Sequence, residues 1–177
     1  SSEIMSLEMD VFCLLLLIRI LYQMYINRVQ NDHWNYFYYT IAWACVYLFM
    51  DAIWIMNVKH FLTFSKIQSG IFNSFYFCSL AMLVCSWYVY VQKTLHSAVL
   101  KHKKILVLTF IPLIFFIGSS LLSYWTHGLF VIDQAGNYHR GKLLPFYFLI
   151  LFAYILYLSI KAGYLSKKAK NYLYQKE

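Results

Sequence analysis

The sequence predicts an all-α integral membrane protein, a bundle of five transmembrane helices with a short ordered hairpin-like loop between the fourth and fifth. Three observations predict it. Hydrophobic residues make up 62% of the chain and charged residues 12%, about half the roughly 25% of a soluble domain. Five apolar runs each reach about the 20 residues that cross a bilayer core. The Lys and Arg residues stand almost entirely at the ends of those runs.

The spans run from about Met9 to Ile26, Tyr36 to Met56, Ile71 to Val91, Ile105 to Trp125 and Leu143 to Leu165, within one membrane domain covering residues 1–177. Each is helical because backbone N–H and C=O groups in lipid have no water partner. Orientation follows from the basic residues between spans. With the N-terminus outside, ten Lys and Arg residues face the cytoplasm and four the exterior; Arg19, within the first span, is left out. The excess belongs on the cytoplasmic side, so an outer N-terminus and a cytoplasmic C-terminus are expected. Trp34, Tyr36, Tyr88, Tyr90 and Trp125 fall near span ends as interfacial anchors. Pro145 suits a first helical turn, whereas Pro112 lies inside span four and should kink it. Residues 166–177 form a basic juxtamembrane helix or tail, either continuing span five or anchoring to anionic lipid.

The net charge of +8 does not imply nucleic acid, because the cations follow membrane topology rather than a binding face. Cys13, Cys45, Cys78 and Cys85 lie inside apolar stretches, with no Cys-x-x-Cys pair and no nearby His. They read as packing residues. The first ten residues lack the basic n-region of a signal peptide. No metal-ligand spacing, phosphate-binding glycine loop or nucleophile motif occurs, so no metal, cofactor or catalysis is expected.

Ionisable residues inside spans cost about 2.5–3.5 kcal/mol each at the helix centre, which makes them candidates for function. Asp10 sits near the outer end of span one, where water can solvate it. Arg19 lies near mid-depth. Asp51 lies about five residues past the middle of span two, roughly 7.5 Å of rise. A snorkelling arginine can cover that difference, so Arg19 and Asp51 are expected to form a buried ion pair, with either a ligand-linked or a purely stabilising role.

A second polar group gathers at the outer ends: Trp54, Asn57, Asn73, Ser74 and Tyr76, with Asp133, Tyr138, His139 and Arg140 from the loop. Aromatic walls with a few convergent polar groups describe a small-molecule pocket. Asp51, Trp54, Asn73, Tyr76, Tyr138 and Arg140 are the candidate ligand-binding residues, Arg140 as a bidentate donor to a carboxylate or phosphate. The alternative is that Arg140 pairs with Asp133 or Asp51 and ties the loop down. The loop, Phe130 to Gly141, reads as a hairpin or lid because Gly136 and Asn137 tolerate positive φ and its flanks favour extended backbone; an ordinary polar connection is the other reading.

Several of these segments together carry a resemblance. Met50-Asp51-Ala52-Ile53-Trp54, Ile71-Phe72-Asn73 with Tyr76-Phe77, Leu129 to Asp133, Gly136-Asn137-Tyr138-His139-Arg140-Gly141, and the Tyr/Phe-rich span ending Ile160-Lys161-Ala162 resemble the N-terminal membrane region of bacterial diguanylate cyclases of the clostridial type. That resemblance implies a sensory input to cyclic-di-GMP signalling, relayed through span five to a cytoplasmic output; a histidine kinase output fits equally. It also implies a homodimer, and separately Ser119 and Ser123, spaced by four, offer a small-residue seam for close helix contact. The chain departs from the family in its five spans, in Arg19 and in lacking Gly-Gly-Asp-Glu-Phe, so no cyclase activity is expected of it. The alternative is a small multi-pass carrier or a stand-alone ligand-binding membrane protein. Either way the expected partners are the lipid bilayer and an unknown small molecule.

Overall fold

The computed structural model describes residues 2–27, 32–59, 61–95 and 101–174. Arg28, His60, His96, and the side chains of His33, Trp34 and residues 166–177 lie outside the described set. Helices are α1 (Ser2–Asn27), α2 (Asp32–Val58), α3 (Lys66–Thr94), α4 (Lys103–Thr126) and α5 (Leu144–Tyr174). All five are long and apolar enough to cross a membrane. Strands β1 (Phe130–Ile132) and β2 (Tyr138–Arg140) lie between α4 and α5.

α3 starts five residues ahead of its apolar run because Ser65 caps it. Ser65 Oγ accepts from the Gln68 amide at 3.3 Å, and Gln68 Oε1 accepts from the Ser65 amide at 3.0 Å. This reciprocal box satisfies two donors that a helix start otherwise leaves open. Its N-terminus is thereby fixed on the same side of the bundle as the hairpin.

α3 is the centre of the bundle: α2, α4 and α5 all pack on it, while α1 packs on α2. Its inward stripe runs Ser69, Asn73, Phe77, Ala81, Val84, Tyr88 and Gln92, the three- and four-residue spacing of one helical face. The stripe is polar at both ends and apolar in the middle. Phe77 stacks on Phe130 of β1 at 6.0 Å and meets Tyr147 of α5 edge-on at 5.5 Å. Tyr147, itself edge-on to Phe116 of α4 at 5.0 Å, donates its hydroxyl to the Phe77 carbonyl at 2.6 Å. One tyrosine thus joins α3, α4 and α5. Near the far end, Lys161 of α5 donates to Gln92 at 2.6 Å, and Tyr154 donates to the Thr109 carbonyl, joining α5 to α4.

The hairpin pairs Phe130 with Arg140, Val131 with His139 and Ile132 with Tyr138. Gly136 turns it at φ 87°, a value costly for any residue with a Cβ. α4 stops at His127, which adopts the left-handed conformation (φ 54°) and returns its amide to the Ser123 carbonyl. Ser123 is fully buried and its hydroxyl accepts from the Leu129 amide at 3.0 Å; this residue faces the interior of its own chain. Gly141 and Leu143 donate back to the Leu129 and Gly128 carbonyls at 2.9 Å.

Gly141 lies so close to that backbone that an added Cβ would stand 2.1 Å from the Gly128 oxygen. Gly141→Ala is therefore expected to destabilise the protein by about 3 kcal/mol, the upper end of ordinary overpacking, because backbone rather than a side chain must yield. Gly163→Ala, with open space around it, should be neutral or gain up to about 1 kcal/mol from helix propensity. Thermal unfolding in detergent compares the two.

Candidate functional site

The polar residues of the hairpin side form two groups joined by α2. Tyr47, Asp51 and Trp54 are four and then three residues apart, so they share a face of α2. The first two enter a network with α3. Tyr76 donates its hydroxyl to Asp51 Oδ1 at 2.8 Å, and the Tyr47 and Tyr76 hydroxyls meet at 3.2 Å, their rings 5.4 Å apart. The third member reaches the loop: Trp54 packs edge-on against Tyr138 of β2 at 5.9 Å.

Asp51 has a different partner on α1 from the one its sequence suggests. No ion pair joins it to Arg19 among the described residues, and Arg19 is exposed on the helix surface. The face of α1 that packs on α2 instead brings the Asp10 carboxyl close enough to Asp51 for the two to interact. Helical phase explains the exchange. Asp10 and Arg19 are nine residues apart, two and a half turns, and so point to opposite sides of α1. Depth permits it as well, since Asp10 lies eight residues from one end of α1 and Asp51 seven from the hairpin-side end of α2, both roughly 10–12 Å in. Asp10 is accordingly part of a helix contact rather than a solvated terminal residue. Its Oδ2 is sealed off without a partner.

Of the candidate ligand residues, Asp51 and Tyr76 are bonded to each other, and Trp54 and Tyr138 touch. Asn73 stands apart from both pairs. It is 1% exposed, donates to the Ser69 carbonyl of its own helix at 2.8 Å, and leaves its Oδ1 without a partner, as does the fully buried Ser69 Oγ. Arg140 is exposed and has no ion-pair partner among the described residues. Its expected partner Asp133 is held elsewhere: by the Asn137 amide at 2.8 Å, the Asn137 side chain at 3.0 Å and His139 at 3.2 Å. Strand alternation accounts for this, because Tyr138 and Arg140 share one side of β2 while His139 takes the other. The tip of the hairpin reaches α3: a Cβ on Gly136 would come within 2.9 Å of the Phe64 carbonyl, just ahead of the Ser65 cap.

The sequence reading misses Tyr47 and Ser69, and takes Asp10 for a solvated helix end. The four-residue step from Tyr47 to Asp51 was a usable signal, since it predicts one face. Nothing local marks Asp10 as a partner rather than a solvated end. No family model, curated protein or solved structure matches this chain, so the site rests on its own geometry.

Two outcomes follow from these bonds. Tyr76→Phe removes the donor to Asp51 and should cost about 1–3 kcal/mol, the penalty for leaving a buried acceptor unpaired. Asp10→Asn supplies a permanent N–H donor to Asp51 and should hold or raise the melting temperature. Asp133 has its carboxyl held down to about 2, first by the Asn137 amide and then by the Asn137 side chain. A depressed carboxyl stabilises the folded turn above its unfolded value near 4 and loses that contribution as pH falls towards 2. Protection of the Asn137 amide, relative to its intrinsic exchange at each pH, should therefore fall between pH 4 and 2, and Asp133→Asn should abolish that dependence.

Proposed function

We propose that this chain is the membrane-embedded sensory input module of a bacterial signal-transduction protein. A small ligand binds beneath the hairpin on the extracellular side, and α5 relays its presence to a cytoplasmic output that lies outside this sequence. The chain itself carries out no reaction. The ten-to-four distribution of basic residues supports placing the hairpin outside.

The observation that carries the reading is the double attachment of the hairpin. On one side it touches α2 through Tyr138 and Trp54. On the other it runs without slack into α5, pinned by the Gly141 and Leu143 amides. An occupant that shifts Tyr138 must also shift the start of α5 or strain those bonds. That gives the differential contact between two states which any ligand-driven change needs. Arg140, exposed and with no ion-pair partner among the described residues, supplies a guanidinium suited to a carboxylate or phosphate, and Asp51 with Tyr76 a hydrogen-bonded polar pair on the hairpin side of α2 and α3. The unbroken course of α1 to α5 through their spans supports a sensor over a carrier, which typically places broken helices at mid-membrane.

The test is a thermal-shift titration of the purified chain with small carboxylates and organic phosphates. A genuine ligand should raise the melting temperature of wild type, and Arg140→Ala should weaken its binding at least tenfold, the value of a charge-assisted bond of about 1.5–3 kcal/mol. A ligand that binds both proteins equally would move the site away from Arg140. Tyr138→Ala should keep the fold and reduce the shift, since it uncouples the hairpin from α2.

A further inference from the structure

One lateral face of the bundle stays open between α4 and α5. Each helix packs on α3, and they approach one another chiefly through Phe116 against Tyr147 and the Tyr154–Thr109 bond. Between them lies an open groove of about 520 Å³. Ile111, Pro112 and Phe115 form one wall, Phe146 and Ile150 the other, and Leu143 lies at the hairpin end. Every lining residue is apolar. Ile111, Phe115 and Phe146 are 52%, 57% and 62% exposed, so the rim opens sideways, where a bilayer would lie.

The dimensions select the occupant. From Leu143 to Ile150 the groove extends about 10 Å at 1.5 Å per residue. A second transmembrane helix spans about 30 Å and needs a longer face. A segment of one hydrocarbon chain, which crosses about half of the bilayer core, fits. The character changes abruptly at the hairpin end, where Lys142 precedes Leu143. Lys142 is exposed and has no ion-pair partner among the described residues. Asp133, the only carboxylate of the hairpin, is engaged by Asn137 and His139. An apolar slot with a cationic lip suits an amphiphile carrying an anionic head.

We infer that the α4–α5 groove is a seat for one acyl chain of an anionic phospholipid, whose phosphate lies against Lys142. The chain segment gains little by leaving the bilayer, because lipid tails are as apolar as the groove. Selection therefore comes from the head group. This site is separate from the ligand site beneath the hairpin and does not depend on it.

The experiment is native mass spectrometry of the delipidated full chain, titrated with phosphatidylglycerol or phosphatidylcholine of identical acyl chains. Wild type should take up one phosphatidylglycerol saturably, about fivefold more tightly than phosphatidylcholine, the value of one cation near a charged surface. Lys142→Ala should bring the two lipids level. Ile111→Trp fills the groove from an exposed position; it should keep the melting temperature and remove the saturable uptake. Equal binding of both lipids by wild type, uptake that never saturates, or an Ile111→Trp protein that still prefers phosphatidylglycerol each overturns the inference. A wild-type dimer dispersed by Ile111→Trp overturns it too, by assigning the groove to a second copy. Arg140 is left intact throughout, so failure of the hairpin ligand site does not bear on the outcome.

Discussion

A hydroxyl, amide or carboxyl buried among apolar side chains has no solvent to turn to, and this constraint organises the bundle around α3. Three bonds between helices answer it in part: Tyr147 to the Phe77 carbonyl, Tyr76 to Asp51, and Lys161 to the Gln92 side-chain carbonyl oxygen, whose amide nitrogen stays unpartnered. Each ties α3 to a different neighbour or a different depth. In lipid the hydrophobic effect does little to draw helices together, so packing and interhelical hydrogen bonds must serve instead. A net value of about 1 kcal/mol per bond is modest. The cost of leaving the same group unpaired is larger, and that asymmetry disfavours other helix arrangements.

The hairpin is the second organising feature, and it is built from backbone rather than side-chain chemistry. His127 ends α4 in a left-handed turn, Gly141 allows the returning chain to lie against Gly128, and Gly136 lets the tip approach the Ser65 cap of α3. The same few residues contact α2, α3, α4 and α5. A segment so placed can integrate what happens at the mouth of the bundle, which is why the proposed ligand site and the relay through α5 share it.

The carboxyl contact between α1 and α2 shows where reading the sequence succeeds and fails. Asp51 stood out because a charged residue inside a span is expensive. Tyr47 and Trp54 could be placed on its face from spacing alone. The choice of Asp10 over Arg19 could not, since it depends on which side of α1 turns towards α2. Depth and charge favour Arg19, and helical phase overrules both. Asn73 shows the same limit: only three residues from Tyr76, it joins the inward stripe rather than the Asp51 network.

The sequence by itself determined the five apolar helices, the position of the polar loop and the polar character of its mouth, because these follow from local composition and from the bilayer's demand for satisfied backbone. Only the tertiary structure decided which side chains meet: Asp10 with Asp51, Asp133 with Asn137 and His139, and α4 with α5 across an open groove. A partner is chosen by helix rotation and by which faces pack. Those depend on all the helices together, so no single stretch of residues encodes them.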